Sequence, residues 1–150
     1  MSTMDIHELL AEERTLIVQD AWRSIVRLTH YERDGEEATR QRLELLFDHV
    51  ARAIRMRDLG ELLDYSERIA KQRFDAGFDL CEVQTAYFML EDAIGRRALA
   101  RILPAELAEA LGLVGTAIRR GKDAFARAYI SLANRARAPS LDLSDLFKGT

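Results

Sequence analysis

Residues 69–83 read Ile69-Ala70-Lys71-Gln72-Arg73-Phe74-Asp75-Ala76-Gly77-Phe78-Asp79-Leu80-Cys81-Glu82-Val83. A helical pattern runs into Gly77, the residue type that most readily takes the left-handed conformation closing a helix. Two residues on, Asp79 stands where a helix N-cap belongs, and Glu82 follows at capping-box spacing. The stretch therefore predicts two helices meeting at a corner around Phe78. Arg73 falls on the apolar face of the first of them, one turn from its end.

Working upstream, Asp58 is the expected N-cap of that first helix, with Glu61 completing a capping box. Leu59, Leu62, Leu63, Ser66, Ile69, Ala70 and Phe74 then share its inward face. A preceding helix spans residues 36–56, with Leu43, Leu46, Phe47, Val50 and Ile54 on one side. The turn Arg33-Asp34-Gly35 separates it from a first helical stretch over residues 5–32. There the apolar stripe changes face between Ile6/Leu9/Leu10 and Val18/Ala21/Trp22/Ile25/Thr29, which predicts a short arm followed by a proper helix.

Downstream of the corner, Leu80, Val83, Tyr87, Leu90, Ile94 and Ala98 form the inward stripe of the next helix. Pro104 suits the first turn of a last, long helix, where its missing N–H is not needed. That helix is expected to reach about Arg137. Leu107, Leu111, Val114, Ile118, Gly121, Phe125, Ala128 and Leu132 give it a heptad-like stripe. Gly112, Gly115 and Gly121 disfavour a helix interior and so suggest close helix contact or a kink. Pro139 ends the helix. The expected architecture is one all-α domain over residues 1–138, a bundle of five to six helices with a long C-terminal one. Residues 139–150 form a short tail whose Leu141, Leu143, Leu146 and Phe147 could dock on the body or meet a partner.

Composition narrows the functional classes. With 48% apolar and 31% charged residues, the 150-residue chain has the balance of a globular domain able to bury a core unaided. A net charge of −3 gives no electrostatic reason to bind nucleic acid or anionic membranes. The single cysteine, Cys81, excludes an internal disulfide and any zinc site built on several thiolates. The opening Met1–Glu13 is too charged for a signal peptide, and no apolar run is long enough to span a bilayer. The cytoplasm is the expected compartment.

Few residues carry chemistry. His7, His30 and His49 have no partner at metal-ligand spacing. A single histidine could serve as a haem ligand in a helical fold, but a solvated or edge role is the simpler reading. His7-Glu8-Leu9 is a weak match to a phospho-accepting histidine box, with no nucleotide-binding segment after it. Cys81 lies in a helix first turn, where the dipole favours a thiolate, yet a small packed thiol is the plainer reading. Paired carboxylates such as Glu12/Glu13 and Glu36/Glu37 are adjacent in sequence and point apart. No catalytic pattern emerges, and no catalytic residue, metal ligand or cofactor is expected.

The more informative group is polar and inward: Arg73, Gln84, Tyr87 and Glu91. A buried charge persists only when paired, so Arg73 is expected to meet Glu82 or Glu91. This group is either a structural latch between helices, the preferred reading, or the polar wall of a small-ligand pocket.

The stretch from Ile69 to Val83, with Arg73, Gly77, Phe78 and Glu82 as anchors, resembles the N-terminal sensory domain of RsbR-type stressosome regulators. Trp22, the His30-Tyr31 pair and the second helix are similar in placement, and the resemblance spans roughly residues 10–135. It implies a haem-free globin-like fold, homodimeric, acting as a signal-input or partner-binding module. Gly77, Phe78 and Glu82 match as helix-corner determinants. The 150 residues leave no place for that family's C-terminal output domain, so the signal is expected to pass to a separate protein partner, or the protein to work by assembly. The heptad-like stripe makes Leu107, Leu111, Val114, Ile118, Phe125 and Leu132 the candidate dimer interface. The alternative is a small-molecule or haem-binding globin-type sensor.

Overall fold

A computed structural model describes residues 4–26 and 35–137. Among the described residues six helices follow one another: α1 Ile6–Glu12, α2 Arg14–Ile25, α3 Glu36–Met56, α4 Gly60–Asp75, α5 Leu80–Arg101 and α6 Pro104–Arg137. The protein is all-α among the described residues, with no strand. None of its described helices is long and apolar enough to cross a membrane. Thr29, His30, Arg33-Asp34 and the tail from Pro139 lie outside the described residues.

The change of face in the first stretch is a break at Glu13, whose backbone (φ −105°, ψ 18°) separates α1 from α2. Asp5 caps α1 by accepting a 2.8 Å bond from the Glu8 N–H. This lets a seven-residue helix tuck Ile6, Leu9 and Leu10 inward. Gly35, at φ 89°, opens α3.

Two corners are built the same way from different residues. At the end of α4, Gly77 takes φ 82°, and the Phe78 N–H reaches back to the Arg73 carbonyl. At the end of α3, Arg57 adopts φ 51°, and the Asp58 N–H reaches back to the Ala53 carbonyl. Both are six-to-one closures of the kind that favours glycine; α3 makes its closure with an arginine. The expected capping box at Asp58 and Glu61 is not formed. The cap position falls on Leu59, the Asp58 side chain instead accepts from Gly60 N–H at 2.8 Å, and Glu61 pairs with Arg52 at 2.8 Å.

The 34-residue α6 is the spine. It packs along α4 and α5 and touches α3, while α2 lies on α5 and α3, and α1 fits between α3 and α5. Phe47, Phe78, Tyr87 and Phe125 are the largest side chains fully removed from solvent. Losing one such ring typically costs about 3–5 kcal/mol. Gly121 lets the spine approach closely: a Cβ there would stand 3.3 Å from Leu62 Cγ, Ser66 Oγ and Tyr87 Cε2.

Candidate functional site

Where α4, α5 and α6 converge, the core turns polar. Tyr87 is fully buried on α5, and its hydroxyl meets that of Ser66 on α4 at 2.8 Å. Ser66 is itself fully buried, so each hydroxyl satisfies the other where water cannot. Gly121 of α6 lies flat against the pair. One turn on, Phe125 packs beside the Tyr87 ring, their centroids 6.1 Å apart.

Toward the corner, Arg73 is 9% exposed and lies over the Phe78 ring, 5.6 Å from its centroid. The Arg42 guanidinium of α3 lies 5.4 Å from the same centroid, so two cations use one aromatic face system. Tyr129 of α6 closes the corner by donating from its hydroxyl to the Phe78 carbonyl at 2.8 Å. Gly77 and Phe78 thus sit at the corner itself, and Glu82 sits half-buried in the first turn of α5.

The four expected polar residues separate into two pairs. Arg73 and Tyr87 line a common void, together with Arg42, Tyr65 and Val83; Gln84 and Glu91 do not. The void measures about 20 Å³, room for roughly one water. Glu91 turns the other way: its carboxylate lies 3.3 Å from where a Cβ on Gly115 of α6 would stand. It makes no ion pair among the described residues, so of the two acids expected to meet Arg73, Glu82 or Glu91, Glu91 is not its partner. Helical phase put both residues inward but could not tell which neighbouring helix each would face.

His49 stacks on Tyr65 at 4.2 Å and 23°. Burial lowers its pKa below the ordinary imidazole value, and the nearby Arg68 adds to the shift. Burial likewise raises the Tyr65 phenol, against the pull of Arg73, Arg68 and Arg42. Neither Ser66 as the partner of Tyr87 nor Tyr65 as the partner of His49 was read from the sequence. An inward serine and an inward tyrosine on consecutive helices were the available signal for the first pair.

A second polar cluster fastens the N-terminal arm. The Glu13 side chain, at the α1–α2 break, is 8% exposed and lies 3.4 Å from Arg97 Nη1 and 3.8 Å from Arg101 Nη1. Arg97 also holds Asp20 at 2.9 Å, so α5 grips both sides of the break. Burying a carboxylate costs free energy unless cations stand close, and here two do.

The expected dimer stripe needs correction. Val114, Ile118 and Phe125 are 0–1% exposed inside a single chain, packed where α6 meets α4 and α5. They are core residues and cannot also face a second copy. Leu107, Leu111 and Leu132 are half-buried. The large apolar side chains left outside are spread over the surface: Leu16 on α2, Leu45 and Met56 on α3, Phe88 (54% exposed) and Leu99 (64%) on α5, Leu103 just beyond it and Ile130 on α6.

Cys81 is exposed in the first turn of α5. Among the described residues no group of three or more His, Cys, Asp or Glu side chains converges as metal ligands would. No protein-family model, curated protein or solved structure matches the chain.

Proposed function

We propose that this chain is a non-catalytic regulatory module, homodimeric and cytoplasmic, that receives a signal and passes it to a separate protein partner. It would be of the haem-free globin-like kind that the Ile69–Val83 pattern resembles. One observation carries the reading. Arg73 and Tyr87 of the inward polar group close on a void of only about 20 Å³ between α3, α4 and α5, while large apolar side chains, Phe88 and Leu99 of α5 among them, stand on the surface. Polar groups closed on one another in this way serve as a latch, and exposed apolar side chains serve contact with another macromolecule. A latch shared by three helices also suits signalling. A partner or ligand that prefers one arrangement of those helices shifts the population toward it.

A second reading, a small-molecule sensor, draws support from an open groove of about 430 Å³ between the end of α3, the start of α4 and α6. Ala53, Ile54, Leu59 and Leu113 give it an apolar wall, and Arg57 and Glu109 a polar edge. No histidine lines it, so it favours an organic ligand over haem. Native mass spectrometry of the purified protein separates the two. Twice the 17.1 kDa subunit mass with nothing added is the expected result. Extra mass lost on denaturation would turn the choice to the sensor, and a bare monomer would contradict the dimeric module.

A further inference from the structure

We infer that a second copy of this chain covers the outward face of the α5–α6 hairpin, over Phe88, Gly95 and Leu99 on α5 and Gly112 on α6. The inference rests on the homodimeric reading above and names its surface.

Phe88, Gly95 and Leu99 follow one another at steps of seven and four residues, which keeps them on one side of α5. Phe88 and Leu99 are more than half exposed there, and Asp92, on the same side, is already paired with Arg96 at 3.0 Å. The contact of Glu91 with Gly115 fixes the register of the antiparallel α5 and α6. Gly95, one turn along α5 from Glu91, and Gly112, just under a turn back along α6 from Gly115, therefore stand at the same height.

Glycine within a helix is disfavoured, and it persists where something must come close. Two glycines of α6 have such neighbours in the chain: Gly121 against Leu62, Ser66 and Tyr87, and Gly115 against Glu91. Gly95 and Gly112 have none, since an added Cβ at either would meet nothing within 4 Å, although Gly112 also borders the open groove beside α3 and α4. A helix of another molecule crossing at that height would account for both, with Phe88 and Leu99 packing on either side of the crossing.

The charges of the face select the occupant. Glu91 is half-buried on α5; Lys122 is half-buried and Arg119 exposed on α6. None of the three makes an ion pair among the described residues. A two-fold axis that sets α5 of one copy against α6 of the other brings acid to base twice, so the face is complementary to itself. Its size agrees. The 22-residue α5 is about 33 Å long, and two adjacent helices are about 20 Å wide, giving on the order of 650 Å². A standard stable interface buries roughly 800 Å² per partner.

The test is sedimentation equilibrium on the full chain and four variants: Leu99→Glu, Glu91→Arg, Arg119→Glu, and Glu91→Arg combined with Arg119→Glu. All three positions are half-buried or exposed, and a retained helical circular dichroism spectrum confirms folding. The expected result is a wild-type dimer, a Leu99→Glu dimer weakened by about a hundredfold, weakened single charge variants, and recovery of the dimer in the double variant. Gly95→Ala adds a variant compatible with the fold, because it improves helix propensity and its Cβ meets nothing within 4 Å in the chain; it is expected to weaken the dimer as well, and Gly95→Leu to weaken it further. A wild-type monomer would overturn the homodimeric reading and the face together. A wild-type dimer indifferent to Leu99→Glu, Gly95→Leu and the charge exchanges would overturn the face alone.

Discussion

The hydroxyls of Ser66 and Tyr87 meet at 2.8 Å in the middle of the molecule, each fully buried and each the other's partner. Truncating either side removes this buried bond from the other. Tyr87→Phe and Ser66→Ala should each cost about 1–3 kcal/mol of unfolding free energy, while the double variant costs less than the sum. A urea-denaturation double-mutant cycle measures this, and additive losses would show that the bond contributes no net coupling.

The glycines of α6 should respond with opposite signs. At Gly121 an added Cβ meets three atoms at 3.3 Å, two of them belonging to the hydrogen-bonded Ser66–Tyr87 pair. Those side chains cannot move aside without breaking their bond, so Gly121→Ala should destabilise by about 1–3 kcal/mol. Gly112 faces open space, so Gly112→Ala should stabilise the isolated subunit by about 0.5–1 kcal/mol. Thermal melts at a concentration low enough to dissociate any dimer would compare the two.

The clasp at Glu13 predicts an asymmetry between its members. Removing the cation in Arg97→Met leaves a buried carboxylate with only Arg101, at 3.8 Å, nearby. Removing the charge in Glu13→Gln leaves Arg97, which is partly exposed, still holding Asp20. Arg97→Met should therefore be the more damaging, by about 1–2 kcal/mol. Hydrogen exchange should show the loss first in α1, which the clasp fastens to α5. Equal effects would mean that Glu13 is adequately solvated without Arg97.

His49 makes stability depend on pH in a definite direction. Its pKa is lowered in the folded state, chiefly by burial and then by Arg68. The unfolded chain thus binds the proton more readily. The contribution is present above the ordinary imidazole pKa of about 6.5 and fades as pH falls through that value toward the lowered one. Melting temperatures of the wild type and His49→Gln should converge as pH drops from 7.5 to 5.5. A constant difference would indicate that the Tyr65 stack leaves the imidazole as basic as in solution.

Much of the fold was legible because the ends of its helices carry chemical signals. Pro104 marks where α6 begins, Asp79 caps α5, and Gly77 closes α4. The end of α3 was harder, because Arg57 holds a left-handed conformation that its side chain does not advertise. The same local geometry shifted the cap of α4 one residue beyond Asp58. The candidate site was half legible. Periodicity placed Arg73, Tyr87 and Glu91 inward, but a single angular coordinate does not say which of two neighbouring helices a side chain meets. Arg73 met the Phe78 corner and Glu91 met α6. The stripe from Leu107 to Leu132 shows a related ambiguity: a heptad-like pattern arises equally from a second subunit and from neighbouring helices of the same chain. Here the burial of Val114, Ile118 and Phe125 decides for the chain itself, and the apolar side chains left exposed are spread over several helices, Phe88 and Leu99 of α5 among them.

The most direct measurement of the α5–α6 face is hydrogen–deuterium exchange of the wild-type protein at two concentrations, one well above and one well below its dimer dissociation constant. The expected result is concentration-dependent protection confined to peptides covering residues 84–103 and 105–122, with α3 and α4 unchanged. Protection that appeared on α1 to α4 instead, or exchange that did not vary with concentration, would contradict an assembly built on the α5–α6 face.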